Sequence, residues 1–93
     1  MKPNSNSAEV TLADVRERVV GLVNEITKIP RQEIVDNATI DGALSMESVD
    51  FVELQVALED EYQIEIDPIF VVELNQFGAI VDYVHSCAIR RVA

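Results

Sequence analysis

The sequence predicts an all-α fold, an antiparallel bundle of three long helices plus one short helix. Three observations carry that expectation. Apolar residues recur at three- and four-residue steps in three separate segments, as amphipathic helices require. Prolines at positions 30 and 68, with polar residues suited to capping, mark where segments stop and start. The chain has 93 residues, 48% of them apolar, which suits one small domain with a modest single core.

Taken in order, residues 1–8 are polar, contain Pro3 and read as a disordered leader, leaving residues 9–93 as a single domain. Thr11 is placed to cap a first helix from Leu12 to Thr27, with Asp14 three residues on. Val15, Val19, Leu22, Val23 and Ile26 form its inward stripe, and Pro30 stops it. Residues 30–44 make a long connection, which points to a special crossover. Ile34, Val35, Ile40 and Leu44 are its expected anchors, with one helical turn near Gln32. Asp36, Asn37 and Asp41-Gly42 superficially suggest a calcium loop, but the alternating oxygen ligands and closing glutamate are missing.

A second helix spans Ser48 to Tyr62 and buries Phe51, Leu54, Leu58 and Tyr62; Val49 and Val56 fall off that stripe. Asp67-Pro68 opens the short helix, since proline suits a first turn. Its apolar run Ile69-Phe70-Val71-Val72 is more than one or two turns can bury. It therefore either lines a pocket or, the reading we favour, presents apolar surface to a dedicated partner. Asn75 reads as the N-cap of a last helix from Gln76 to Arg90, with Phe77, Ile80, Val81, Val84 and Ala88 inward. Gly78 inside that helix costs about 1 kcal/mol relative to alanine, so close packing against a neighbour is expected there. Arg90 and Arg91 complement the dipole at its end.

Charge is unevenly spread. The formal net charge is −10, and no lysine or arginine occurs between Gln32 and Ile89, an interval holding thirteen Asp and Glu residues. Such a surface repels phosphate backbones, which argues against nucleic acid as a partner. It attracts proteins with basic patches instead. The longest apolar run is four residues, far below the roughly 20 needed to span a bilayer, so no membrane insertion is expected. No continuous apolar signal segment opens the chain, so a cytoplasmic protein is expected. The single cysteine, Cys87, leaves no internal disulfide and no metal-ligand spacing. A self-contained enzyme is also disfavoured. Ser48 would need a base, the chain has one histidine, His85, and no glycine loop of the oxyanion type precedes the serine.

The run Glu47-Ser48-Val49-Asp50-Phe51-Val52-Glu53-Leu54, followed by Ala57-Leu58-Glu59-Asp60-Glu61-Tyr62, resembles the modification helix of acyl carrier proteins. In that family an Asp-Ser-Leu tripeptide opens the second helix, and Val-Glu-Leu begins four residues after the serine. Val52-Glu53-Leu54 stands at that offset from Ser48. The likeness continues without a gap through Ile64-Glu65-Ile66 to Phe77-Gly78-Ala79-Ile80-Val81-Asp82-Tyr83-Val84, and covers residues 11–88. Glu47 and Val49 depart from the family's Asp and Leu, and the apolar residues 69–72 from its more polar third helix.

The resemblance implies that Ser48 receives a 4'-phosphopantetheine arm from coenzyme A through a Mg-dependent phosphopantetheinyl transferase. The arm's thiol then holds acyl groups as thioesters for fatty-acid or polyketide-type biosynthesis. It further implies a monomer that visits acyl-loading, condensing, reducing or transferring enzymes with basic patches. Glu47, Val49, Asp50, Glu53, Val56, Glu59, Asp60 and Phe70 are the expected docking residues. Ser45 is a rival to Ser48, but it lacks the preceding acid and Val52-Glu53-Leu54 then lies seven residues away, so Ser45 better suits a cap of the helix or of its lead-in turn. Two alternatives remain: a carrier of aminoacyl or peptidyl groups, whose second helix is typically less acidic, and a helical docking adaptor.

Overall fold

The computed structural model describes residues 10–92, without the side chains at positions 68, 70, 72 and 90–92. The leader expected over residues 1–8 and the side chains of Phe70, Arg90 and Arg91 therefore lie outside the described residues. Every regular element among the described residues is helical: α1 (Leu12–Thr27), a 3₁₀ turn (Arg31–Glu33), α2 (Ser48–Tyr62), α3 (Pro68–Leu74) and α4 (Phe77–Val92). The all-α class holds.

Local chemistry sets the helix ends. Thr11 Oγ1 accepts a hydrogen bond from the Asp14 N–H at 3.1 Å, satisfying a donor that α1 leaves unpaired. At the other end Lys28 turns left-handed, φ 67°, and its N–H donates to the Asn24 carbonyl at 2.8 Å. The helix thus closes on its own cap, before Pro30 is reached. Val15, Val19, Val20, Leu22 and Val23 are buried, while Ile26 is half-buried.

The connection after α1 is anchored by Ile34, Ile40 and Leu44, as expected, but Val35 is 43% exposed. Consecutive residues of an extended segment point to opposite sides, and Ile34 takes the inward place. Ala38 and Met46 supply the remaining anchors. Backbone hydrogen bonds then strap this connection to the start of α4. Ile40 N–H donates to the Asn75 carbonyl at 3.2 Å, and the Phe77 and Gly78 N–H groups donate to the Ala38 and Asp36 carbonyls at 2.9 and 2.8 Å.

That strap corrects one expectation. Asn75 does not cap the last helix, which begins at Phe77; it turns left-handed at the α3–α4 junction, φ 52°. The first two donors of α4, the Phe77 and Gly78 N–H groups, are taken by the connection instead. The same contact explains Gly78, since a Cβ there would sit 2.9 Å from Asp36 Cβ.

The core is apolar throughout: among the described residues no polar or charged side chain is buried. α1 packs against both α2 and α4, and α3 packs against α4. Phe77, Ile80, Val81, Val84 and Ala88 of α4 are all buried, as are Leu54 and Leu58 of α2. Each of these side chains larger than alanine contributes roughly 1.5–3 kcal/mol through removal from water. Phe51 and Tyr62 are half-buried at the edges of the α2 stripe. No helix among the described residues is long and apolar enough to cross a membrane.

Candidate functional site

The lead-in to α2 is a tied turn. Thr39 accepts from Ala43 N–H through its hydroxyl at 3.2 Å and from Leu44 N–H through its carbonyl at 2.9 Å. Gly42 is required beneath it, because a Cβ would lie 2.4 Å from Thr39 Oγ1. Leu44 and Met46 are buried on either side of Ser45, and the Met46 N–H donates to the Ile40 carbonyl at 2.9 Å. Ser45 is left-handed, φ 49°, and its hydroxyl donates to the Gly42 carbonyl at 3.1 Å. Its oxygen belongs to the turn.

Glu47 is the N-cap of α2. It forms a capping box with Asp50, in which the Glu47 N–H donates to the Asp50 carboxylate at 3.2 Å and the Glu47 carboxylate faces the Asp50 N–H. A serine at a helix start commonly serves as the cap; here that work is done one residue earlier. Ser48 is therefore the first helical residue, exposed, and among the described residues its hydroxyl has no hydrogen-bond partner.

Beside Ser48 lies a cleft of about 240 Å³ lined by Ile40, Asp41, Met46, Glu47, Ser48, Phe51 and Asn75. A larger one, about 720 Å³, opens between the starts of α1 and α4 and shares no residue with it. No serine lines that larger cleft, and its Arg16 pairs with Asp36 and stacks over the Phe77 ring at 5.7 Å. We therefore place the site at the smaller cleft. His85 is committed elsewhere, its Nε2 2.9 Å from the Val10 carbonyl oxygen.

The outward face of α2 starts next to Ser48. Val49, Glu53, Val56 and Asp60 recur at steps of four, three and four, so they form one exposed stripe opposite Leu54 and Leu58. Val49 is 68% and Val56 56% exposed. Val52 joins them at 54%, a residue that sequence reasoning missed. The signal was its spacing, three residues from Val49 and four from Val56. In α3, Ile69 is 71% exposed while Val71 is buried, which divides the apolar run between surface and core. Among the other expected docking residues, Asp50 is tied into the capping box and Glu59 accepts from the Ile66 N–H at 2.9 Å. Glu47 is exposed; the side chain of Phe70 is outside the described residues.

Comparison with known proteins bears on the same region. A family model described as the phosphopantetheine attachment site matches residues 17–84. The chain is 32% identical over 73 residues to the acyl carrier protein of Buchnera aphidicola subsp. Schizaphis graminum, covering 78% of this chain and 92% of that one. It is 33% identical over 84 residues to the mitochondrial acyl carrier protein of Saccharomyces cerevisiae, covering 86% of this chain and 67% of that one. With most of its length matched in both ways, the chain belongs to the acyl carrier family, non-catalytic proteins that hold a covalent 4'-phosphopantetheine group.

Proposed function

We propose that Ser48 is the attachment residue, and that the protein carries acyl intermediates of fatty-acid or polyketide-type biosynthesis from enzyme to enzyme. The observation that carries this reading is the exposed Ser48 hydroxyl without a partner, set against Ser45, whose hydroxyl is held by its turn. A transferase must bring its own base and a coenzyme A phosphate to the oxygen it modifies, so that oxygen must be reachable and uncommitted. Ser48 satisfies both needs.

The site also fits the group it would hold. A phosphodiester on Ser48 lies at the start of α2, where unpaired N–H groups and the helix dipole favour an anion. The adjoining cleft mixes apolar walls from Ile40, Met46 and Phe51 with polar Asp41 and Asn75, matching an arm that alternates methyl, methylene and amide groups. When bound, the group supplies a thiol on which acyl chains are held as thioesters. The chain's own residues supply placement: the capping box fixes the first turn of α2, and Leu44 and Met46 fix the approach to it.

Partner enzymes, by this reading, grip the stripe of Val49, Glu53, Val56 and Asp60 together with Glu47 at its start, and Phe70 of α3 is a further docking residue. The acid content of α2 favours acyl over aminoacyl cargo. The elements then form an antiparallel bundle in which α3 is the short fourth member, within one domain over residues 9–93 and acting as a monomer. A single cysteine, and so no internal disulfide, suits the cytoplasm or an equivalent reducing compartment.

Incubation with coenzyme A and a broad-specificity phosphopantetheinyl transferase tests the attachment residue. We expect one arm to add to the parent and to Ser45→Ala, and none to Ser48→Ala. An unchanged mass gain in Ser48→Ala would reject the assignment.

A further inference from the structure

We infer that Asn75 is a positioning residue for the phosphopantetheine arm, donating a hydrogen bond from its side-chain amide to an amide carbonyl of the arm. The inference rests on the attachment at Ser48 proposed above and names a contact beyond it. It starts from the polar groups of the cleft, which come from Asp41, Glu47, Ser48 and Asn75. The arm carries two amides, so it presents both N–H donors and carbonyl acceptors.

Ionised carboxylates only accept hydrogen bonds, so Asp41 and Glu47 can receive the arm's N–H groups but cannot serve its carbonyls. The Ser48 hydroxyl loses its hydrogen on modification. Of the side chains lining the cleft, the Asn75 amide is then the one able to donate. Among the described residues that amide has no hydrogen-bond partner, although Asn75 is half-buried. A polar group withdrawn from water without a partner is unfavourable, and an incoming carbonyl would satisfy it.

The backbone at this position is held on both sides. The Asn75 N–H donates to the Val71 carbonyl at 3.3 Å, and its carbonyl accepts from the Ile40 N–H at 3.2 Å. Ile40 also accepts from Met46 N–H at 2.9 Å, two residues before Ser48. The amide is thus presented from a backbone joined by hydrogen bonds to the attachment turn. Its left-handed conformation, φ 52°, suits asparagine and glycine better than other residues. This offers a bland account of Asn75 as a hinge residue alone, and the test must separate the two.

Two variants do so while respecting the backbone. Asn75→Gly keeps the left-handed conformation and removes the amide; Asn75→Asp keeps shape and conformation but replaces the donor with an acceptor. Parent and variants are each converted to the holo form, and the added mass on Ser48 is verified. The arm's thiol is then titrated with a small disulfide reagent, and an isotopically labelled arm is followed by NMR. We expect through-space contacts between the arm and the Asn75 side-chain amide in the parent. Both variants should then react at the thiol about two- to tenfold faster, the range that one net hydrogen bond allows, with unchanged thermal unfolding of the apo form. A hinge role alone predicts that Asn75→Asp and Asn75→Gly match the parent in thiol reactivity, with no contact to the amide; that result overturns the inference and leaves Ser48 standing. Absence of any mass gain at Ser48 in the parent overturns the attachment reading, and this inference with it.

Discussion

Two serines three residues apart show how a single hydrogen bond assigns roles. Ser45 is left-handed and spends its hydroxyl on Gly42, so its oxygen stabilises the turn. Ser48 is relieved of capping by Glu47 and stays uncommitted. The two tyrosines allow a different single-residue argument. Burial of the Tyr62 phenol raises its pKa above the usual 10.0, Glu61 raises it further, and Arg18 opposes both. Burial also raises Tyr83, against the Asp67 N–H that donates to its oxygen at 3.0 Å. A pKa raised on folding means the native state holds its proton more tightly than the unfolded chain. That stability is fully present below about pH 10, the unfolded value, and is lost as pH rises through the folded value. Tyrosinate absorbance should therefore show both residues ionising later in the native protein than in denaturant. Tyr62→Phe should lose less stability above pH 10 than the parent. Superimposable native and denatured titration curves would contradict the assignment.

At the scale of the element, the contact between α4 and the long connection does more than close a loop. It satisfies the first donors of α4 and brings Gly78 against Asp36, with a hypothetical Cβ 2.9 Å from Asp36 Cβ and 3.2 Å from its Cα. Two helical glycines should then respond in opposite directions. Gly21→Ala meets only a flexible arginine end at 3.6 Å and should gain up to about 1 kcal/mol from helix propensity. Gly78→Ala should lose about 1–2 kcal/mol, because overpacking against backbone outweighs propensity. Urea midpoints measured for both variants check this, and a more stable Gly78→Ala would show that the contact yields. The glycine's expense was readable from its place in a helical pattern, and so were α1, whose cap and apolar period agree, and the apolar period of α2, though not its cap at Glu47. What was not readable depended on partners remote in sequence. Asn75 looks like a cap only until the Asp36 and Ala38 carbonyls take the donors it would have served. Val35 looks like an anchor until Ile34 occupies the inward position. Around the cleft, the place of Ser48 at the start of α2 and of Val49 and Val56 off its buried stripe followed from spacing, whereas the Asn75 wall required the fold to bring residue 75 beside residue 48.

For the whole molecule, the decisive quantity is where charge is left uncompensated. Arg16, Arg18 and Arg31 pair with Asp36, Glu61 and Glu17, the second at 3.2 Å. These exposed pairs add little stability, yet they commit three cations away from the outer stripe of α2. Among the described residues no cation pairs with Glu53 or Asp60, which flank the exposed Val49, Val52 and Val56. An apolar strip edged by free carboxylates is suited to a partner that brings an apolar contact ringed with lysine or arginine. Charge at such a rim chiefly governs encounter and orientation. Glu53→Lys should therefore slow loading by a partner enzyme about three- to tenfold at low salt, with the deficit shrinking as added salt shortens the screening length. Glu25→Lys on α1 changes the net charge by the same amount away from the stripe, and it should leave the rate near that of the parent. Rates measured across an ionic-strength series for the three proteins decide the point. If the two reversals slow loading equally, the partner senses only total charge and the stripe has no special part; if Glu53→Lys alone is slow, the recognition is local, as the uncompensated face requires.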